Sequence, residues 1–335
     1  MGKKKKAEHY VPQCYLKRWT QKQSNQVYVY NKKENKYHIS NIHDVASERY
    51  FYDIDLSKII SKETFKSLGI ELDPKQLSDE QFIENFFANE LEKDLDERLS
   101  RIINRVLEMN SWEIRNCYFI SEYDKLALSV HLAFQRIRTK ETRQNIIDSN
   151  LCVVDWLKDL GASEKSIKKH TIPESRIKAI HGKMILNEKH IDTLSKIFHN
   201  YTWTLAINRT AELFYTSDNP ICSIAHKTHP ILSMSGFESP GVEVIIPFSP
   251  ELLLVMCDGN YHKGMLQHER KIIEVDNIKT IEHYNSVVAQ YSTRFVISKD
   301  NNFSIIKKML DNNPNVFNKP HTTLTWGDKI YQPNK

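Results

Sequence analysis

The sequence predicts an α+β fold, in which a central helical segment packs on a mainly antiparallel sheet formed largely by the C-terminal half. Two observations predict it. Apolar residues recur at three- and four-residue steps through much of residues 78–198, which is the spacing of amphipathic helices. From residue 201 the pattern changes to short β-prone runs separated by turn residues. Helices and strands that are segregated along the chain favour α+β over the alternating α/β classes.

The N-terminal third begins with the lysine run Lys3–Lys6, which no apolar pattern accompanies. We therefore predict a disordered basic tail over residues 1–7 and a single domain over residues 8–335. Two β-prone runs, 26–30 and 36–40, are separated by a polar five-residue loop and predict a hairpin. A long amphipathic helix follows, with Ser78 and Gln81 in a capping-box pattern, and runs to about Met109.

A second helix is predicted from Ser121 to about Asp148. On a helical wheel of 100° per residue it carries a narrow polar stripe between two apolar flanks. The stripe consists of His131, Gln135, Arg138 and Thr142. A helix with apolar residues on both sides of such a stripe is buried on much of its surface, so the stripe must find partners or line a wet cavity. The alternative is that the stripe faces solvent and Arg138 pairs with a surface acid.

Further helices are predicted over residues 150–160 and 174–198, and the polar segment 161–173 between them is the best internal boundary. The predicted strands cover residues 202–207, 212–216, 242–247, 252–256 and 294–298. Residues 208–210 are a candidate tight turn between the first two. Helices are also predicted over residues 276–291 and 303–310.

Composition excludes several classes. No stretch of about eighteen apolar residues is present, so no membrane span is expected. The five scattered cysteines contain no C-x-x-C pair and favour a reducing cytoplasm over a disulfide framework. With nine glycines and no Gly-rich phosphate loop, Rossmann and P-loop nucleotide sites are poorly supported. Residues 1–40 carry ten Lys or Arg against two acids, a basic segment that suits an anionic partner, although a solubilising tail explains it as well.

Two residues are candidates for chemistry on local grounds. Asp218 lies where a predicted strand meets the turn that precedes Pro220; there it either hydrogen-bonds its own turn or acts as a carboxylate that binds a metal or activates water. His9 lies near Pro12 and offers a titratable imidazole, although a lone histidine is more often a packed residue.

The stretch from His9 to Trp19 resembles the opening signature of the bacterial family called domain of unknown function 4238. That signature is His-Tyr-Val-Pro-x-x-Tyr-Leu followed by an aromatic residue, usually Phe, where this chain has Trp19. Further motifs match in order: Gln135-x-x-Arg138-Thr139, Thr216-Ser217-Asp218-Asn219-Pro220, Ile246-Pro247-Phe248-Ser249-Pro250, and Asn285. The resemblance covers residues 8–298 and carries no settled activity. It implies that His9, Gln135, Arg138 and Asp218 occupy motif positions and converge on one site.

These residues predict a metal-dependent hydrolase or nuclease-like enzyme acting on nucleic acid or a nucleotide, in a bacterial defence or toxin-like setting. Arg138 is expected to hold a phosphate through its planar fork, Asp218 to bind a divalent cation such as Mg²⁺, and His9 to act as acid or base. The expected substrate-binding residues are Gln135, Asn285, Tyr15, Lys17, Arg18 and Trp19, with Tyr28 and Tyr30 extending the aromatic segment for base stacking.

The competing hypothesis is a non-catalytic sensor or partner-binding module. In it the same polar residues form a buried network that fixes the fold. A pocket lined by their free polar ends would favour the enzyme, whereas a close approach of Arg138 to Asp218 with no open cavity beside them would favour the module.

Overall fold

The fold is described from a computed structural model, which covers residues 7–21, 24–58, 76, 78–229, 233–318, 323–327 and 329–333. Most of the predicted basic tail lies outside these residues. Ala7, which the prediction places in the tail, instead begins the first strand and pairs with Arg49.

The predicted central helical segment is confirmed. The helices are α1 Gln13–Leu16, α2 Phe82–Phe86, α3 Glu92–Glu108, α4 Ser111–Asn116, α5 Glu122–Ile137, α6 Lys140–Asp159, α7 Glu164–His170, α8 Glu174–Ile185, α9 Glu188–Asn200, α10 Ile278–Tyr291 and α11 Ser304–Asn312. A π-helical turn, Phe87–Leu91, joins α2 to α3, and the N-cap of α2 is Gln81 instead of the predicted Ser78. None of the helices in the described part of the chain combines the length and apolarity needed to cross a membrane.

The single helix predicted from Ser121 to Asp148 is wrong, because it is two helices. Ser121 caps the start of α5 as predicted, with its hydroxyl accepting from the Asp124 amide at 3.0 Å. The chain then breaks after Ile137, and Thr139 becomes the N-cap of α6, with its hydroxyl accepting from the Thr142 amide. The Thr139 hydroxyl accepts a hydrogen bond from an amide in the first turn of α6, which stabilises a new helix start at this position. The predicted polar stripe is therefore divided between two helices that meet at a corner.

A five-stranded sheet, a four-stranded sheet and two isolated strand pairs occur among the described residues. The strands are β1 Ala7–His9, β2 Gln26–Asn31, β3 Lys36–Asn41, β4 Ser47–Arg49, β5 Thr202–Asn208, β6 Thr216–Ser217, β7 Cys222–Ala225, β8 Val242–Ser249, β9 Leu252–Cys257, β10 Lys271–Val275, β11 Phe295–Ser298, β12 Leu324–Trp326 and β13 Lys329–Tyr331. The larger sheet has the order β10-β5-β9-β8-β7 and is antiparallel except for the β10–β5 pair. The smaller sheet has the order β3-β2-β11-β6, so the predicted N-terminal hairpin forms one side of it.

One predicted hairpin is not formed. The expected strand over residues 212–216 is reduced to Thr216–Ser217, and it pairs with β11 in the smaller sheet instead of with β5. Asn208 explains the exit from β5, because its side chain accepts hydrogen bonds from the amide and hydroxyl of Thr210, both at 2.8 Å. The segment after β5 therefore carries the chain from one sheet to the other.

The core joins N-terminal and C-terminal residues. Trp19, Phe87, Leu132, Trp203 and Leu254 are almost fully buried members of one continuous apolar cluster. The predicted linker 161–173 contains α7 and is tied to α6, since the Asn150 side chain bonds the His170 carbonyl and the Ile172 amide. The single-domain assignment itself stays a prediction.

Glu8, in β1, places its carboxyl group beside that of Asp53. Glu8 is fully buried, and its carboxyl accepts a hydrogen bond from the Tyr52 amide. The Gln81 amide nitrogen lies 3.4 Å from both Glu8 Oε1 and Asp53 Oδ1. Burial, together with a hydrogen bond to the Asp53 carboxyl, raises the pKa of Glu8 to about 8. Glu8 therefore keeps its proton near neutral pH.

We expect Glu8→Gln to flatten the pH dependence of stability. The folded protein holds the Glu8 proton more tightly than the unfolded chain does, so wild-type stability falls as the pH rises from 4.5 to about 8. Glutamine imitates the protonated acid, because its NH₂ group donates to Asp53 while its oxygen accepts from Tyr52. Denaturant titrations across this pH range measure the slope. Glu48→Gln, at an exposed acid paired with Lys140, is the control, and a wild-type slope in Glu8→Gln would contradict the assignment.

Candidate functional site

His9, at the end of β1, has both ring nitrogens engaged. Its Nε2 lies 3.0 Å from the His43 carbonyl oxygen, and the Gln13 amide lies 3.3 Å from Nδ1. The carbonyl partner fixes the proton on Nε2, which leaves Nδ1 to accept. Burial lowers the pKa of His9, so the ring is a neutral donor and acceptor that ties β1 to two neighbouring segments.

Gln135 and Arg138 reach the same stretch of backbone from α5. The Gln135 side chain donates to the Tyr10 carbonyl at 3.1 Å, and Arg138 Nη2 donates to the His9 carbonyl. Arg138 also pairs with Glu92 Oε1 at 2.9 Å, and its guanidinium stacks 4.0 Å from the centre of the Phe87 ring. The structure thus brings three of the four predicted residues together around the backbone of residues 9 and 10.

Asp218 holds a different loop. Its carboxylate accepts three backbone amides, from Thr293 and Arg294 at 2.8 Å and from Phe295 at 3.0 Å. The side chain is fully buried, and burial raises its pKa to about 6 against the lowering effect of the three amides. No group of three or more His, Cys, Asp or Glu suited to a metal occurs among the described residues. A metal at Asp218 stays a prediction, while the three amides fix the connection between α10 and β11.

Three more predicted substrate-binding residues hold the segment that leads into β6. The Tyr15 hydroxyl lies 2.7 Å from both Thr216 Oγ1 and the Pro247 carbonyl. Trp19 Nε1 donates to the Phe214 carbonyl at 3.1 Å. Asn285 donates to the Leu213 carbonyl and accepts from the Tyr215 amide, both at 2.8 Å. All three side chains are buried, so the rings of Tyr15 and Trp19 offer no exposed face for base stacking.

The remaining residues of the basic aromatic segment differ in their exposure to solvent. Lys17 is exposed, and Arg18 pairs with Asp96 at 3.0 Å. Tyr30 is buried and packs against Phe303, whereas Tyr28 is half-buried. A stacking platform along this segment is therefore interrupted by core residues. Most of the motif residues hydrogen-bond to backbone groups of other segments, which is the arrangement expected of a scaffold.

Arg136, two residues before Arg138, lines a cleft. It lines two neighbouring cavities that also share Asn145 and Phe237. We call these cavities together the Arg136 cleft. Their volumes are about 580 Å³ and 690 Å³, which is the range of small-molecule sites. Neither cavity is lined by His9, Gln135, Arg138 or Asp218.

The Arg136 guanidinium is desolvated but has no acid in direct contact. Its Nη1 lies 3.3 Å from Thr142 Oγ1, and the group lies 5.5 Å from the Phe237 ring centre. Within the described residues no carboxylate comes within ion-pair distance of it. Burial lowers the pKa of Arg136, and the charge of Glu141 opposes that effect. An arginine keeps its proton in such a setting, so the cleft contains a fixed positive charge.

Asn219 lines the same cavity as Arg136, and its side-chain oxygen is unpaired among the described residues. Asn219 is 3% exposed, and its Nδ2 donates to the Tyr291 carbonyl at 3.0 Å. This bond fixes the amide orientation and leaves Oδ1 without a hydrogen-bond partner in the described structure. Ser223 and Tyr291, hydrogen-bonded to each other, line the same cavity. A cation and an unpaired acceptor that border one cavity suit an anion that carries a hydrogen-bond donor.

Sequence reasoning missed Arg136. On the wheel used for α5 it falls at about 280°, beside Leu132 at about 240° and away from the polar stripe. An arginine next to a buried leucine is the signal that could have identified it, since a charge there must have a reason to be desolvated. Asn219 lies within the motif of residues 216–220, in which the sequence predicts a functional role for Asp218 only.

Residues 8–302 match the model of a family described as "Protein of unknown function (DUF4238)". No curated protein matches the chain, and no solved structure does.

Proposed function

The chain belongs to the DUF4238 family of proteins of unknown function, and we propose that it binds a phosphate-bearing small molecule of the nucleotide class in the Arg136 cleft. The observation that carries the proposal is the desolvated guanidinium of Arg136, which lines both cavities and meets no carboxylate among the described residues. A desolvated charge with no carboxylate in direct contact is costly, and a bound anion lowers that cost.

Phosphate is the anion that an arginine fork matches best, because two parallel N–H groups meet two phosphate oxygens. The surroundings favour a nucleotide over inorganic phosphate. One cavity is rich in apolar side chains, among them Ile146, Val153 and Leu194, and the other in hydroxyl and amide groups. A nucleoside offers both an apolar ring face and hydrogen-bonding groups.

Hydrolysis of the bound ligand is the second candidate function, and Glu141 favours it. Glu141 lines the same cavity as Arg136, and its Oε2 accepts from Thr293 Oγ1 at 3.2 Å. A carboxylate beside a held phosphate can orient water, or share a Mg²⁺ ion with the phosphate oxygens. The hydrolase or nuclease-like prediction therefore remains as this second proposal. In it Glu141 has the catalytic role that the sequence predicts for Asp218. It fits the cytoplasmic defence or toxin-like setting expected from the sequence.

The predicted motif residues have a supporting role in this proposal. Arg138 and Gln135 fix the end of α5, from which Arg136 extends. Asp218 fixes the loop that carries Thr293, the partner of Glu141. A non-catalytic sensor would bind its ligand in the same cleft. A turnover assay of a Glu141 variant therefore distinguishes catalysis from binding alone, whereas variants of the motif residues do not.

We expect Arg136→Gln to abolish ligand binding while the protein stays folded. The wild-type protein is titrated by calorimetry with AMP, ATP and the dinucleoside monophosphate ApA, with and without Mg²⁺, and products are followed by chromatography. A ligand at one hundred times its dissociation constant stabilises a protein by about 2.7 kcal/mol, so thermal unfolding gives a second readout. Glu141→Gln is expected to keep binding and to stop any turnover.

Arg209→Gln is the matched control, since this exposed arginine pairs with Glu274 away from the cleft. It removes the same charge and should bind as the wild type does. Binding that persists in Arg136→Gln, or the absence of binding for every compound tested, would exclude the proposed function.

A further inference from the structure

The two cavities of the Arg136 cleft differ in chemistry. The apolar lobe, of about 580 Å³, is lined by Ile146, Val153, Met184 and Leu194 and also by the polar residues Ser149 and His190. The polar lobe, of about 690 Å³, contains Glu141, Asn219, Ser223, Gln290 and Tyr291. Arg136 belongs to both, so an anion bound to it can extend one substituent into each lobe. That geometry places the charge in the middle of the ligand and not at its end.

The charge balance of the cleft favours a single negative charge. Arg136 is the one arginine or lysine among the described residues that line the two lobes. Lys32 contacts the ring of Phe317, which lines the polar lobe. Its ammonium group donates to the carbonyls of Ala289 and Ser292. A phosphomonoester carries about −1.5 to −2 at neutral pH, and its second charge would face Glu141. A phosphodiester carries one charge and leaves two substituents to fill the lobes.

The lining also indicates what the substituents are. Polar side chains in the lining of the apolar lobe, such as Ser149 and His190, suit a nucleobase, which has apolar faces and a hydrogen-bonding rim, better than an acyl chain. Asn219 lines the polar lobe, and its Oδ1 is buried without a hydrogen-bond partner in the described part of the chain, which suits a donor such as a hydroxyl or an amino group. A ribose or a second base supplies such a donor.

We propose that the ligand of the Arg136 cleft is a dinucleotide-type phosphodiester, with its phosphate on Arg136, one base in the apolar lobe and the second nucleoside in the polar lobe. This inference rests on the proposed function and narrows its ligand class. Arg136 and Asn219 are the binding residues. The lobes set specificity by shape and by hydrogen bonding.

Calorimetric titration of the full chain with ApA, AMP, ATP and a short-chain lysophosphatidylglycerol tests the inference. ApA is expected to bind at least ten times more tightly than AMP or ATP. Val153→Trp narrows the apolar lobe from α6, and Gln290→Trp narrows the polar lobe from the exposed side of α10. Each is expected to weaken ApA binding at least tenfold. Leu151→Trp, at an exposed position of α6 outside the lobes, should bind as the wild type does.

The outcomes separate the two proposals. Arg136-dependent binding in which AMP or ATP is tighter than ApA overturns the phosphodiester inference and leaves the proposed function standing. Tighter binding of the lysophospholipid, which shares the diester chemistry, overturns the nucleotide assignment. ApA binding that neither tryptophan affects overturns the two-lobe geometry. If no compound binds through Arg136, the proposed function fails first.

Discussion

Replacing Asp218 by alanine is expected to lower the free energy of unfolding by several kcal/mol and to leave little folded protein. The carboxylate satisfies the amides of Thr293, Arg294 and Phe295 in a fully buried place. Each buried donor that loses its acceptor costs about 1–3 kcal/mol. Asp218→Asn is expected to cost less than the alanine, because its side-chain oxygen can still accept from Arg294 and Phe295 while its NH₂ group faces only the Thr293 amide.

Urea denaturation followed by circular dichroism measures this effect. Asp192→Ala is the control, since Asp192 is exposed and pairs only with Lys196 on the same helix. A carboxylate used only for catalysis would give the opposite pattern, with normal unfolding and lost activity. A variant Asp218→Ala with wild-type stability would show that the three amides find other acceptors.

Arg138→Ala is the second substitution with a large expected effect. It removes the bond to the His9 carbonyl, the ion pair with Glu92 and the stacking on Phe87 together. Arg138 is 3% exposed, and breaking a buried pair from one side costs about 3–5 kcal/mol, since the remaining charge loses its partner. Arg138→Lys keeps the charge without the planar fork and should recover only part of the loss.

Arg101→Ala is a control of the same residue type. Arg101 is largely exposed and pairs with Asp124, so its removal should cost less than about 1 kcal/mol. A double-mutant cycle with Glu92→Ala isolates the ion pair from the other contacts. Equal losses in the Arg138 and Arg101 variants would contradict the buried role of Arg138.

Much of the fold could be predicted because it depends on local patterns. The hairpin of β2 and β3, the Ser121 cap and strands β8 and β9 follow from turn residues, capping chemistry and apolar runs that lie close together in the sequence. The break at Thr139 was missed because a threonine in a polar stretch fits a helix surface and an N-cap equally well. Only the packing of α6 against other elements decides between them.

The sequence also identified the motif residues, but it did not determine what they do. His9, Arg138 and Asp218 are titratable groups in recognisable motifs, and such groups look alike whether they bind a substrate or a neighbouring backbone. Their partners lie up to 129 residues away, as with Arg138 and His9. Burial and hydrogen bonding over that separation belong to the tertiary structure alone.

By itself, the sequence determined the α+β class, the family resemblance and the helix that carries both Arg136 and Arg138. Only the tertiary structure decided which of these two arginines is tied to the backbone and which enters a cleft. The physical reason is that the cleft is assembled from the α5–α6 corner, the segment around Asn219, α10 and the chain near Phe237. No local pattern encodes a cavity that separate segments enclose, so its charge and its free acceptor become visible only when those segments meet.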